Sequence, residues 1–278
     1  MRSFSLLLLA LLALGCGDNQ TVPPPRDAFV PGDAAVLTCV PNLDGVVEAN
    51  ELAPTLGIPV SLLTAPVGVE RQVDVAGIVV DGRRRWDLGA DFADDQLARI
   101  EASDLSARWF AGRFPDGEFI SPLDLAGDLL GIFRHDDDAL RLLGVASAEE
   151  APAQGQTLYG YDTPIVVYRF PLRQGDEFIA SSTITDGTLL GLPYAGRDTY
   201  EVRVVSTGVL TLPDLEFEQA HRVDTRITVA PAVGAAVVRR QVSWIFECFG
   251  EVARATSRSG EETVDFTTAA ELRRLSLE

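Results

Sequence analysis

From about residue 58 onward the apolar residues recur with a period of two, and this limits the possible folds more than any other feature of the chain. Val67, Val69, Val73 and Val75 alternate with polar or small residues. An extended chain points successive side chains to opposite faces, so such segments bury one face of a sheet rather than the stripe of a helix. Ile78 to Val80 runs into Asp81-Gly82, a dipeptide suited to the positive φ angles of a two-residue hairpin turn. Further strands are expected at Arg108 to Phe114, Glu118 to Leu123, Leu129 to Arg134, Ala139 to Val145 and Gly155 to Leu172. Others follow at Glu177 to Thr185, Asp198 to Thr207, Glu218 to Val229, Ala236 to Glu247 and Val252 to Arg258. Ala93 to Asp104 is the best helical segment, with Leu97, Ile100 and Leu105 loosely on one face. Ala269 to Leu275 is open to either strand or short helix. Roughly ten to fourteen strands joined locally, without crossover helices, imply antiparallel pairing. The expected class is all-β: a large curled sheet or open barrel with one or two short helices.

Composition narrows the chemistry. The formal charge of −18 repels nucleic acid, so no nucleic-acid partner is expected. All 23 basic residues are arginine, which rules out any mechanism built on a lysine, whether a P-loop, a Schiff base or a Ser-x-x-Lys pair. Only His135 and His221 carry imidazoles, and neither a His-Glu-x-x-His nor a Gly-x-Ser-x-Gly pattern occurs. No catalytic residue can be assigned.

The amino-terminal end reads as an export signal. Arg2 precedes an unbroken apolar run from Leu6 to Leu14, followed by Gly15 and Cys16. Nine helical residues reach roughly 13 Å, too short for a hydrocarbon core of about 30 Å. Ala13-Leu14-Gly15-Cys16 resembles the bacterial lipobox, although Ala13 stands where leucine is commonest. The resemblance implies cleavage before Cys16, lipid on that cysteine and attachment to a membrane of the cell envelope. Gly17, rather than aspartate, after the cysteine favours the outer membrane. With Cys16 assigned to lipid, Cys39 and Cys248 remain in an oxidising compartment and are expected to pair. The domain plan is therefore a signal peptide (1–15), a proline-rich tether (16–38), a loop (39–53) and a β domain (54–278) that could divide near 150.

That loop resembles the twelve-residue calcium loop of EF-hand and dockerin-like repeats. Asn42, Asp44, Val46 through its carbonyl, Glu48 and Glu51 occupy the third, fifth, seventh, ninth and twelfth places, with Gly45 at the sixth. Val40 replaces the leading aspartate, which weakens a hard-cation site, so the cofactor expectation is none, with calcium as the alternative. Arg83-Arg84-Arg85 before Trp86 reads as an anion site or, by preference, as a strand with two arginines in solvent. His135-Asp136-Asp137-Asp138 reads as a polar hairpin tip rather than a metal site, because successive turn residues point apart.

The rhythm of Arg169-Phe170-Pro171-Leu172, Gly175, Phe178, Tyr200-Glu201-Val202, Leu212-Pro213, Trp244-Ile245-Phe246 and Gly250-Glu251-Val252 covers about a third of the chain. It resembles uncharacterised bacterial lipoproteins and TapB-like periplasmic domains, and is more distantly similar to the open barrels of the LolA and LolB lipoprotein carriers. The resemblance implies a long curled sheet and carries no catalytic residue. The functional expectation is a non-enzymatic envelope protein, by preference a scaffold or interaction partner for another envelope protein, with a carrier of a lipid or other hydrophobic ligand as the alternative. In the carrier reading, Tyr168, Phe170, Phe178, Trp244 and Phe246 line the concave face. A hydrolase using paired carboxylates is the remaining alternative. A deep apolar groove would favour the carrier, and a filled core with flat faces the scaffold.

Overall fold

The computed structural model describes residues 39–277. The segments expected to be a signal peptide (1–15) and a lipidated tether (16–38, with Cys16) fall outside the described residues. The strands in chain order are β1 (Val46–Val47), β2 (Pro59–Thr64), β3 (Arg71–Gln72), β4 (Ile78–Val80), β5 (Arg83–Asp87) and β6 (Gln96–Glu101). There follow β7 (Ser103–Asp104), β8 (Phe119–Pro122), β9 (Leu129–His135), β10 (Ala139–Ser147), β11 (Leu158–Arg169) and β12 (Leu172–Arg173). The last six are β13 (Glu177–Leu189), β14 (Leu192–Thr211), β15 (Glu216–Pro231), β16 (Val237–Phe246), β17 (Gly250–Ser257) and β18 (Thr268–Leu275). Short 3₁₀ turns occupy Ala49–Glu51 and Ala111–Arg113. The all-β class expected from the alternation is the observed one.

One sixteen-stranded sheet runs in the order β6-β2-β18-β17-β16-β15-β14-β13-β11-β10-β9-β8-β7, with β3 beside β18 and β5 beside both β4 and β14. All pairs are antiparallel except β5 on β14. The two ends of this path, β6 and β7, are separated in the chain by Ala102 alone, so the sheet curls into a nearly closed barrel. The Gly57 N–H donates to the Ala102 carbonyl at 2.8 Å, extending the β2–β6 pairing up to that junction. The sheet continues without interruption through β10 and β11, on either side of residue 150. β1 and β12 form a separate two-stranded ladder.

Several turns follow directly from local chemistry. Asp81 and Gly82, both at positive φ, join β4 to β5 with Val80 opposite Arg83. Arg83 and Arg85 are exposed and Trp86 is buried, as a half-buried strand requires. The acidic run after His135 is the tip of the β9–β10 hairpin, where Arg141 pairs with Asp136 and Asp138.

Two segments differ from the sequence expectation, and a third, open to either form, is a strand. Residues 93–104 contain β6, not a helix: Gln96 to Glu101 pairs residue for residue with Thr64 to Pro59. Three loosely aligned apolar residues are a weak helical stripe, and a free sheet edge satisfies every second backbone group instead. Ala269 to Leu275 belongs to β18, which β17, β2 and β3 all pair with. Arg108 to Phe114 is a turn containing 3₁₀ helix rather than a strand, because Phe110 and Phe114 both enter the same core.

Two packed cores lie on the outside of the curl, and two further clusters, around Phe119 and Phe133 and around Tyr168 and Ile245, border the inside. Residues from 73–88 cross the outer face of β14–β18, where Trp86 meets Trp244 edge-on with ring centroids 6.1 Å apart. Residues 105–114 cover Ile120, Leu130 and Ile132 on the outer face of β8 and β9. Since alternate residues point outward, the remaining set points into the barrel.

Candidate functional site

The inward residues enclose a cavity of about 970 Å³. This lies at the upper end of the roughly 300–1,000 Å³ typical of small-molecule sites. Its apolar wall comes from β8 to β11, including Phe119, Phe133, Leu142 and Val167. Phe119 and Phe133 stack with centroids 5.5 Å apart. They are opposite one another on adjacent antiparallel strands, which places the rings side by side.

Beside this wall stands a tyrosine cluster. Tyr159, Tyr161 and Tyr200 line the cavity with Asp198. The Tyr161 hydroxyl donates to Asp198 Oδ2 at 2.6 Å. Burial raises the pKa of Asp198, partly offset by the Tyr161 hydrogen bond. Burial also raises the pKa of Tyr200, to about 12, and Tyr159 and Tyr161 are raised for the same reason. All three phenols are therefore protonated donors at neutral pH.

The facing floor, from β16 to β18, is polar. Ser243 lies opposite Arg254 and Arg254 opposite Arg273, while Gln241, Thr256 and Glu271 form the next row. The Ser243 hydroxyl donates to Glu251 Oε2 at 2.7 Å, and Glu251 Oε1 lies 2.8 Å from Arg254 Nε. Arg273 donates to Glu271 at 2.7 Å and to the Leu123 carbonyl at 3.1 Å.

Of the aromatics assigned to the groove from sequence, the structure places Tyr168 on the cavity. Phe170 and Phe178 line a separate cleft of about 240 Å³ beside it, together with Tyr168. Trp244 and Phe246 are not in the groove: both belong to the outer core, and their strand neighbour Ile245 is the residue that points inward. The period of two was read correctly there, but the face was not. Asp198, Glu251 and Arg254 went unnoticed in the sequence. Their one signal was a charged residue at an alternating position between small or apolar neighbours, as in Val252-Ala253-Arg254-Ala255.

The disulfide expected between Cys39 and Cys248 is present, with Cα atoms 5.5 Å apart. It joins the calcium-like loop to the β16–β17 turn at the cavity rim, where Glu51 and Leu52 are part of the lining. The same junction is held by the Cys248 N–H donating to the Glu51 carbonyl at 2.8 Å. Glu247, fully buried, accepts the N–H groups of Asn42 and Leu43 through Oε2, each at 2.7 Å.

The loop's own oxygens are directed inward to its N–H groups. Asn42 Oδ1 accepts from Asp44 N–H, and Asp44 Oδ1 from Val46 N–H. Glu51 accepts from Glu48 N–H at 2.8 Å and from the Asn42 side-chain amide at 3.1 Å. Burial raises the Glu51 pKa, against the Glu48 hydrogen bond, with Glu247 and Asp44 adding to the rise. Val40 is exposed and has no side-chain ligand to offer. Among the described residues no group of three or more His, Cys, Asp or Glu is placed to hold a metal. These internal hydrogen bonds account for the shape of the turn.

Among the described residues no helix is long and apolar enough to cross a membrane. No protein-family model, curated protein or solved structure matches the chain.

Proposed function

We propose that this chain is a lipid-anchored protein of the bacterial cell envelope whose curled sheet holds a hydrophobic ligand, and that it works as a binder or carrier rather than an enzyme. The observation that carries this reading is the cavity of about 970 Å³ at the centre of the sheet, with an aromatic and aliphatic wall. A concave site with an apolar wall and a few convergent polar groups is the usual form of a small-molecule site.

Two further features favour binding over hydrolysis. The carboxylates of Glu251 and Glu271 are held by Ser243 and Arg273, and Asp198 accepts from Tyr161 through one of its two oxygens. The open-barrel resemblance to the LolA and LolB carriers points the same way. The lipobox at Cys16 would tether such a binder at a membrane surface, where amphiphiles are concentrated.

The test is native mass spectrometry of the chain carrying Cys16→Ser, purified without detergent. The expected result is a mass excess, released on denaturation as a molecule with a long apolar chain. A clean protein mass, with no uptake of added neutral probe, removes the reading. In parallel, Cys16→Ser shifts the protein from the membrane fraction to the soluble one.

A further inference from the structure

The cavity is two-sided, and four arginines line it: Arg258 is paired with Glu70, Arg239 is exposed to solvent, and Arg254 and Arg273 lie side by side on the polar floor. Arg273 is 5 % exposed at its side chain, and its guanidinium is already occupied by Glu271 and the Leu123 carbonyl. Arg254, its cross-strand neighbour, is different. Its side chain is 24 % exposed, and it lines the cavity. Its Nε lies against Glu251, but among the described residues neither terminal amino group has a hydrogen-bond partner. Burial opposes the charge of Arg254, yet Glu251, with Tyr168 and Glu271 beyond, more than compensates and keeps it protonated. Tyr168 and Tyr200, both on the lining and both neutral phenols, supply further donors close by.

We infer that the cavity takes a single-chain amphiphile with a carboxylate head, the head on the terminal amino groups of Arg254 and the chain along the β8–β11 wall. This rests on the ligand-binding reading above. A planar carboxylate matches the two terminal N–H groups of a guanidinium. Along this row Arg254 and Arg273 are balanced by Glu251 and Glu271, and a singly charged head seated beside Glu251 meets less repulsion than a doubly charged one. The apolar wall supplies affinity by burial, and the arginine supplies discrimination between heads.

The experiment is displacement of the neutral fluorophore N-phenyl-1-naphthylamine from the Cys16→Ser chain by palmitate, methyl palmitate, hexadecanol and palmitoyl lysophosphatidate. Palmitate is expected to bind at least tenfold more tightly than hexadecanol or the methyl ester. Arg254→Gln lowers palmitate affinity to the level of hexadecanol and leaves the fluorophore's affinity within about twofold; Arg254→Lys retains part of the preference. Equal affinity for palmitate and its methyl ester in the unsubstituted chain overturns the head assignment even if Arg254→Gln fails to fold. Lysophosphatidate binding more than tenfold above palmitate overturns the choice of carboxylate. In both cases bound fluorophore leaves the cavity reading standing, whereas failure of every compound to bind removes both.

Discussion

His221, on β15, is completely enclosed, with its Nδ1 3.2 Å from the Thr207 hydroxyl. Burial lowers its pKa from 6.5 to about 4. Between those two values the unfolded chain binds a proton that the folded chain does not. Its contribution is therefore intact above about pH 6.5 and is lost as pH falls toward 4, with an upper bound of about 3 kcal/mol. Asp198 and Asp224 act in the opposite direction, since burial raises both of their pKa values. Comparison with His221→Gln isolates the histidine. In urea denaturation at pH 7 and pH 4.5, the unsubstituted chain is expected to lose more stability than the variant; equal losses would show that His221 is not buried in its neutral form. At this scale the sequence was informative about covalent chemistry and poor about direction. Cys39 and Cys248 could be paired because Cys16 had another role, whereas nothing in the residues around Arg254 says that its guanidinium looks into a void.

Among the elements, β14 does the most connecting: it pairs with β13 and β15 along its length and with β5 in parallel near its end. Gly208 makes the last contact feasible, because a Cβ there would stand 2.3 Å from the Arg84 carbonyl oxygen. Gly208→Val should push β5 off β14 and open the core around Trp86 and Trp244, costing about 3 kcal/mol or more. Loss of stability in chemical denaturation, together with a changed tryptophan emission, checks it; a neutral result would mean that β5 is not seated on β14. Hairpins such as β4–β5 were legible because a two-residue turn is decided by its own residues. The strand β6 was not legible. Leu97 and Ile100 fit a helix about as well as a strand, and the choice is made by the pairing with β2, thirty-odd residues earlier in the chain.

For the whole molecule, the arrangement is a barrel with packed cores outside and a cavity inside. Ile227 lines that cavity and is only partly buried, so it borders open space. Ile227→Trp should therefore fill the cavity with little cost, within about 1 kcal/mol of the parent stability, while reducing fluorophore binding at least tenfold. A large destabilisation would instead show that the interior is already packed. The sequence alone determined the all-β class, the hairpin turns and the Cys39–Cys248 link, because a side-chain period of two, a turn dipeptide and a leftover pair of thiols are local or compositional facts. Only the tertiary structure decided which face of each strand is the inner one. Alternation defines two faces and is silent about which of them a distant segment will cover. Residues 73–88 and 105–114 cover the outer face, and by doing so they commit Trp244 and Phe246 to the core and leave Ile245, Tyr200 and Arg254 around the cavity.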